Sequence, residues 1–381
     1  MEKNHILQRN AGLFTFFISG ICVISSGVVV SLLQEAYGFA YHMTGTLLSL
    51  VSVGNLLSGF MTAALNGKLG MKKTAMLLTA GYGIGYLAMG MTTWMTLLML
   101  AFFLLGIAKG CVINTCTILV GNNSKNRAVG MNLMHSCYAL GALLCPFFIA
   151  VTTSFGSMVP LFVLAVIGMA MWVIFLMTPM TADQKQKEKG TDWGFLKIKK
   201  FWLLTGLLFC QNAAEFSVNG WMVTYFKGRG ILSGVLSTYT VTVMWSATLI
   251  ARLLIAFVFP IKNTYSALIK MGIGCIIFYI GMMMTDSQIP AILLLFAFAF
   301  SMAGMNPTAM ASAGKMTTPA SIGIMLPVAS AGAILMPWTA GILSEHAGLT
   351  VGMASNIVPC MGLLVFSILV KQMGEREEIQ S

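Results

Sequence analysis

Four polar side chains fall within nine positions of an otherwise apolar segment, and their types suit the binding of a small polar molecule. They are Gln211, Asn212, Glu215 and Asn219. Spacings of three and four residues place them on one broad face of an α-helix. Each amide offers paired hydrogen-bond donors and acceptors, and the carboxylate can take up a proton or hold a cation. We therefore predict a water-filled site on this face, with hydrogen bonding between helices as the alternative.

Aromatic and cationic side chains accompany these polar residues. Trp221 follows them in the same segment, and Trp245 and Arg252 lie in the next segment. Aromatic rings can cover the apolar face of a sugar, so both tryptophans are predicted to bind substrate beside the amides. Arg252 is predicted to act with Glu215 in coupling. An ion pair that locks two helices together is an equal alternative for Arg252.

The N-terminal half offers a second set of candidates. Lys109 is an intramembrane cation, which we predict to act in coupling, and Asn114 lies five residues further on. Asn132, His135 and Tyr138 fall in the following segment. Asn114 and these three side chains are predicted to bind substrate. For His135 the alternative is a neutral, hydrogen-bonded contact between helices.

The composition is that of a membrane protein built from helices. Hydrophobic residues make up 57% of the 381 residues and charged residues 9%, whereas soluble proteins carry about 25% charged residues. A helix needs about 20 apolar residues to cross a bilayer. Twelve such runs occur, at roughly 11–34, 43–66, 73–92, 94–119, 127–153, 157–179, 201–226, 234–259, 264–284, 289–313, 319–343 and 347–371. The alternation of a membrane barrel is absent. We predict an all-α membrane protein with twelve transmembrane helices.

A short repeat divides the chain into two similar halves. Gly141-Ala-Leu-Leu-Cys-Pro146 recurs as Gly332-Ala-Ile-Leu-Met-Pro337, 191 residues later. Many secondary transporters consist of two parallel six-helix repeats with the substrate between them near the bilayer midplane. We predict a six-helix bundle over 1–180, a cytoplasmic linker over 181–200, and a second, pseudo-symmetric six-helix bundle over 201–381.

The net charge of +11 indicates membrane topology and not nucleic-acid binding. Most lysines and arginines fall in loops on one side of the predicted spans, and such loops face the cytoplasm. Both termini are therefore predicted to be cytoplasmic. We predict a multi-pass protein of the plasma membrane, or of the inner membrane in a bacterium. The predicted partners are a small-molecule substrate and the lipid bilayer. No nucleic-acid partner is predicted, and a monomer is expected.

The sequence lacks the usual signatures of an enzyme. It contains no phosphate-binding loop, nucleophile elbow or cluster of metal ligands. We therefore predict no catalytic activity, no metal site and no cofactor, apart from a coupling ion. All eight cysteines lie in the predicted spans and are expected to pack as small apolar side chains. A membrane receptor or scaffold remains a different class, although neither needs the repeat or the polar face.

These motifs resemble those of the major facilitator superfamily, and more closely its fucose:proton symporter family with the sodium-dependent glucose transporter branch. The resemblance rests on Glu215 followed by Asn-Gly-Trp-Met-Val-Thr-Tyr-Phe at 219–226, on 127–135 leading to the repeat at 141–146, and on Pro337-Trp338. It implies two six-helix bundles that work by alternating access. The family's carboxylates in the first and fourth helices are missing here, so coupling to H⁺ or Na⁺ would fall to Glu215.

The resemblance implies a secondary active transporter for cation-coupled uptake of a small polar solute, with a sugar as first candidate. Two alternatives remain. Lys109 and Arg252 outnumber Glu215 in the membrane interior, which favours an organic anion or a sugar acid. The 31 methionines suit an adaptable cavity for efflux of amphipathic compounds.

Overall fold

The computed structural model describes residues 2–124, 127–180, 194–259, 261–313 and 319–380. Within these ranges the regular elements are helices, and no strand occurs. The chain divides into two units, Met1–Gln186 and Lys187–Ser381. Most of the linker predicted over 181–200 lies outside the described residues, and the described part contains a short 3-10 helix at Gly194–Lys197.

The described part of the N-terminal unit contains one helix for each of its predicted spans. These are α1 (Glu2–Tyr37), α2 (Tyr41–Leu69), α3 (Met71–Met91), α4 (Met95–Asn122), α5 (Arg127–Thr153) and α6 (Val159–Met177). The short link between the third and fourth spans is confirmed, because Trp94 lies just before α4 in an extended conformation. The first helix begins well before its apolar run, so hydropathy alone places its start too late.

In the C-terminal unit three predicted spans are interrupted. Its described helices are α7 (Lys199–Gly228), α8 (Gly234–Thr238), α9 (Thr240–Leu253), α10 (Thr264–Met284), α11 (Gln288–Met302), α12 (Met305–Ala313), α13 (Pro319–Ala347), α14 (Leu349–Ala354) and α15 (Ile357–Gln380). The eighth span comprises α8, α9 and a π-helical segment, Leu254–Val258. The tenth span is split into α11 and α12, and the twelfth into α14 and α15. The sequence did not predict these breaks.

Ten helical stretches in the described ranges are long and apolar enough to cross a membrane. The remaining two predicted spans correspond to α3 and α7. Glycines and tyrosines lower the hydropathy of α3. Gln211, Glu215 and Asn219 lower that of α7. A helix this polar must satisfy its side chains inside the protein or in water, which makes α7 the element most strongly marked for function.

The two copies of the sequence repeat occupy equivalent packing positions. A Cβ atom built on Gly141 would lie 2.1 Å from the main-chain oxygen of Phe17, and one on Gly332 would lie 2.1 Å from that of Phe209. Backbones approach this closely only where a side chain is missing. The contact between α1 and α5 in one unit is thus repeated between α7 and α13 in the other, which explains why the short motif recurs.

Candidate functional site

One face of α7 opens on a pocket within the C-terminal unit. The N-terminal part of this helix is anchored in an apolar cluster, where Phe201, Leu204 and Leu208 pack with Leu268 and Ala329. The pocket is lined by Gln211, Glu215, Asn219, Met244, Trp245, Thr248, Arg252, Ala299, Met302 and Ala303. Its walls therefore come from α7, α9 and the C-terminal end of α11. Five of the residues predicted from the sequence meet here.

Glu215 is held by hydrogen bonds within its own helix. Gln211 Nε2 donates to Glu215 Oε2, and Asn219 Nδ2 donates to the main-chain oxygen of Glu215 at 3.0 Å. Asn219 Oδ1 is buried and accepts no hydrogen bond from a described residue. A buried acceptor left unsatisfied costs about 1–3 kcal/mol. The expected partner is therefore a donor on a bound solute or on a water molecule.

Arg252 brings a positive charge to the same pocket from α9. Its Nε donates to the main-chain oxygen of Ala303 at 3.4 Å. Trp245 and Thr248 line the pocket from the two preceding turns of the same helix. Glu215 and Arg252 are the charged residues of the lining, so the pocket combines one negative and one positive side chain with amides and an aromatic ring.

The tenth span contributes residues that sequence reasoning missed. Ala299, Met302 and Ala303 line the pocket, and Asn306 Nδ2 donates to Gln211 Oε1 at 3.4 Å. The sequence feature that could have indicated these residues is Asn306 followed by Pro307 within an apolar span. A proline interrupts helical hydrogen bonding, and an adjacent polar side chain can serve the freed groups.

Two predicted binding residues of α7 lie away from this pocket. Trp221 is fully buried, and its Nε1 donates to the main-chain oxygen of Pro337 at 3.1 Å. This bond ties α7 to α13. Asn212 is half-buried and does not line the pocket. One residue corresponds to about 100° of rotation around a helix, which turns Asn212 off the face that carries Gln211.

The candidates of the N-terminal unit lie on α4 and α5. Lys109 is buried in α4, with 6% of its surface exposed, and Asn114 is half-buried on the same helix. The rings of His135 and Tyr138 lie 5.5 and 5.2 Å from the ring of Phe16 in α1, between centroids. Asn132 lies in α5, but its side chain is outside the described part of the structure. The binding and coupling roles of these residues remain predictions.

The described side chains include no group of three histidines, cysteines, aspartates or glutamates that could hold a metal ion. The eight cysteines are unpaired thiols, and seven of them are buried. The chemistry available in the pocket is hydrogen bonding, aromatic contact and the charge of Glu215 and Arg252. These groups suit reversible binding of a small polar molecule.

Sequence comparison indicates the family of this chain. The sequence profile of the Major Facilitator Superfamily matches residues 12–326. Protein TsgA of Escherichia coli (O1:K1) is 22% identical over 366 residues, covering 91% of this chain and 90% of that protein. Bypass of stop codon protein 6 of Saccharomyces cerevisiae is 21% identical over 391 residues, covering 90% of this chain and 78% of that protein.

Structural comparison agrees with the sequence match. A bacterial homolog of the human lysosomal transporter Spinster, in an inward-facing and occupied conformation, superposes with a TM-score of 0.77 at 12% identity, covering 97% of this chain and 96% of that one. The nucleoside transporter NupG superposes with a TM-score of 0.75 at 13% identity, covering 97% and 98%. At these identities the likeness establishes the fold alone. The profile match, which extends over most of the sequence, establishes that the chain belongs to the major facilitator superfamily, a family of multi-pass membrane transporters and not of enzymes.

Proposed function

We propose that this transporter is a secondary active carrier that works by alternating access and couples the uptake of a small polar solute to a cation, H⁺ or Na⁺. A sugar is the first candidate for the solute. The observation that carries the proposal is the position of Glu215, an intramembrane carboxylate, in a pocket with amides, an indole ring and Arg252. A charged group within a membrane is costly and is retained where it serves an ion or substrate pathway.

Each pocket residue has a defined part in this proposal. Glu215 takes up the proton or helps to hold the sodium ion, and Arg252 balances its charge when the cation is absent. Asn219 Oδ1, a buried acceptor, receives a hydroxyl donor of the solute. The indole of Trp245 covers the apolar face of a sugar ring. Gln211 keeps the carboxylate oriented through its hydrogen bond to Oε2.

The N-terminal unit is proposed to contribute the remaining polar contacts. Lys109 would supply a second positive charge, and Asn114, Asn132, His135 and Tyr138 would bind the solute. The buried position of Lys109 supports a functional charge over a surface one. The distribution of cations in the sequence supports cytoplasmic termini. Residence in the plasma membrane and function as a monomer are further proposals.

Two observations favour other solutes. Arg252 in the pocket can pair with a carboxylate, which supports an organic anion or a sugar acid. Met244 and Met302 in the lining supply an adaptable apolar wall, which supports the efflux of amphipathic compounds.

Three transport measurements distinguish a sugar, an organic anion and an amphipathic compound as the solute. They are uptake of labelled D-glucose into cells, uptake of labelled D-gluconate into cells, and accumulation of ethidium in everted vesicles. Uptake of gluconate without glucose would select the anion, and ethidium accumulation would select efflux.

The coupling role of Glu215 is tested in proteoliposomes with Glu215→Gln. The variant should lose accumulation driven by a proton or sodium gradient but keep counterflow exchange of labelled solute, which needs no gradient. Glu345→Gln is the matched control, because Glu345 is an exposed carboxylate near the end of α13 and should behave as wild type. Gradient-driven accumulation at the wild-type level by Glu215→Gln would refute the proposal.

A further inference from the structure

The tenth span is broken where it passes the pocket. Helix α11 ends at Met302, Ala303 and Gly304 form a turn, and α12 begins at Met305. In a continuous helix the amide of residue 307 would donate to the carbonyl of Ala303. Residue 307 is proline, which has no amide hydrogen and crowds the carbonyl four residues earlier. The break therefore leaves the Ala303 oxygen without its helical donor.

Two pocket side chains, Arg252 and Gln211, are hydrogen-bonded to residues at this break. Arg252 Nε supplies the Ala303 oxygen with a hydrogen bond of 3.4 Å. Asn306, one residue before the proline, donates from Nδ2 to Gln211 Oε1, also at 3.4 Å. Both bonds are longer than the usual 2.9–3.0 Å. Bonds of this length are weak.

A second irregular segment packs against the same break. The π-helical segment Leu254–Val258 directly follows α9. A Cβ atom built on Gly304 would lie 2.8 Å from Ile255 Cδ1 and 2.5 Å from Met271 Cε. The first atom belongs to the π-helical segment and the second to α10. Two interrupted helices thus meet at Gly304, next to the residues that contact Arg252 and Gln211.

Gln211 links Glu215 to the break by two hydrogen bonds, and in each of them the donor and the acceptor are defined. An ionised carboxylate only accepts hydrogen bonds, so it requires the Nε2 side of the Gln211 amide. Oε1 of Gln211 then faces away from Glu215 and requires a donor. Asn306 presents that donor, Nδ2. The orientation of all three groups is compatible with an ionised Glu215.

We propose that Asn306 is a positioning residue that responds, through the Gln211 amide, to the charge of Glu215 and so couples the pocket to the break between α11 and α12. This inference rests on the proposed role of Glu215. A neutral carboxyl group has an O–H donor and can present it to Gln211 Oε1. The Gln211 amide then turns its Nε2 toward Asn306 Nδ2, and two donors face each other. Asn306 Nδ2 loses its acceptor, and the break loses one of the two side-chain hydrogen bonds described above.

Hydrogen–deuterium exchange of the segment 299–309 tests this coupling in purified, full-length protein. Glu215→Gln mimics the neutral carboxyl group, and Asn306→Ala removes the responding amide. Each should raise exchange of this segment by about three-fold or more, because local opening becomes easier. If Glu215 and Asn306 act through the same series of hydrogen bonds, the double variant should exchange no faster than the faster single variant.

The matched control is Asn356→Ala. Asn356 is fully buried in the same unit and donates from Nδ2 to the main-chain oxygen of Ala214, the residue before Glu215, at 3.5 Å. Among the described side chains it makes no hydrogen bond to Gln211. It should leave exchange of 299–309 unchanged. Asn306→Gln, which keeps an amide donor, should restore part of the protection. Wild-type exchange in either Asn306→Ala or Glu215→Gln, or multiplied effects in the double variant, would overturn the proposal.

The outcome is independent of the transport assay. Exchange is measured without substrate or gradient, so the coupling between Glu215 and the break can be present even if uptake proves to be uncoupled. If Glu215→Gln loses gradient-driven accumulation while exchange of 299–309 is unchanged, the proposed function stands and the role of Asn306 is rejected. If exchange rises but accumulation persists, the proposed function fails and the link to Asn306 remains.

Discussion

Gln211 donates a hydrogen bond to the carboxylate of Glu215, one helical turn further along α7. A hydrogen bond to a charged group contributes about 1.5–3 kcal/mol, and each 1.4 kcal/mol corresponds to about ten-fold in binding. Gln211→Ala should therefore weaken gradient-driven uptake, measured as the ratio of maximal rate to KM, by about ten-fold. Asn212→Ala is the control, because Asn212 is adjacent in sequence but off the pocket. An equal loss in both variants would contradict this prediction.

Replacement of Trp221 should lower the melting temperature, whereas replacement of Trp245 should change KM. The indole of Trp221 is fully buried and donates to Pro337 O at 3.1 Å, so Trp221→Phe leaves that carbonyl without its donor at a cost of about 1–3 kcal/mol. We expect a lower melting temperature and an unchanged KM. Trp245→Phe alters the pocket lining and should change KM with little effect on melting. Thermal unfolding and uptake kinetics of both variants check this, and a changed KM with normal melting in Trp221→Phe would contradict it.

Gly332 should tolerate no side chain. A Cβ atom at this position would lie 2.1 Å from the main-chain oxygen of Phe209, and a backbone atom cannot turn away as a side chain can. Gly332→Ala should push α13 from α7 and lower the melting temperature. Gly59→Ala is the matched control in α2, since nothing lies within 4 Å of its Cβ position. Because alanine favours helix over glycine by roughly 0.5–1 kcal/mol, Gly59→Ala should melt no lower than wild type. A lowered melting temperature in Gly59→Ala together with a wild-type value in Gly332→Ala would contradict this prediction.

The sequence predicted the elements of this fold well because lipid restricts the backbone strongly. Uninterrupted backbone hydrogen bonding is required in hydrocarbon, so long apolar runs become helices. The breaks at Ala303 and in the twelfth span were not predicted, since their position depends on contacts from other helices. Pro307 was visible in the sequence, but Arg252, which supplies the Ala303 carbonyl with a hydrogen bond, comes from a different span.

Sequence reasoning identified the pocket residues of α7, where polar side chains recur on one helical face, and missed Asn306, a single polar residue in its span. Glu215 and Asn219 stood out against an apolar background. Asn306 did not, because one asparagine in a span has no periodicity. Trp221 followed the polar residues in sequence, but the contact with Pro337 keeps it in the core. The counterpart of Gln211, 192 residues earlier, is Ser19, which hydrogen-bonds Tyr82 at 2.9 Å in the core of its unit, so the polar face of α7 is not repeated on α1.

Two arginines of the C-terminal unit should have opposite importance. Arg229 contacts Asp286 and Thr350 at the surface, with side chains of the ion pair 30% and 75% exposed. Exposed pairs contribute at most about 1 kcal/mol. Arg229→Gln should therefore retain wild-type uptake and nearly wild-type melting. Arg252→Gln removes the positive charge that balances Glu215 in the pocket, and it should reduce gradient-driven uptake by about ten-fold. Uptake and thermal unfolding of both variants at one ionic strength separate the roles. Full uptake by Arg252→Gln would remove Arg252 from the coupling site, and an uptake defect in Arg229→Gln would assign the surface pair a part in transport.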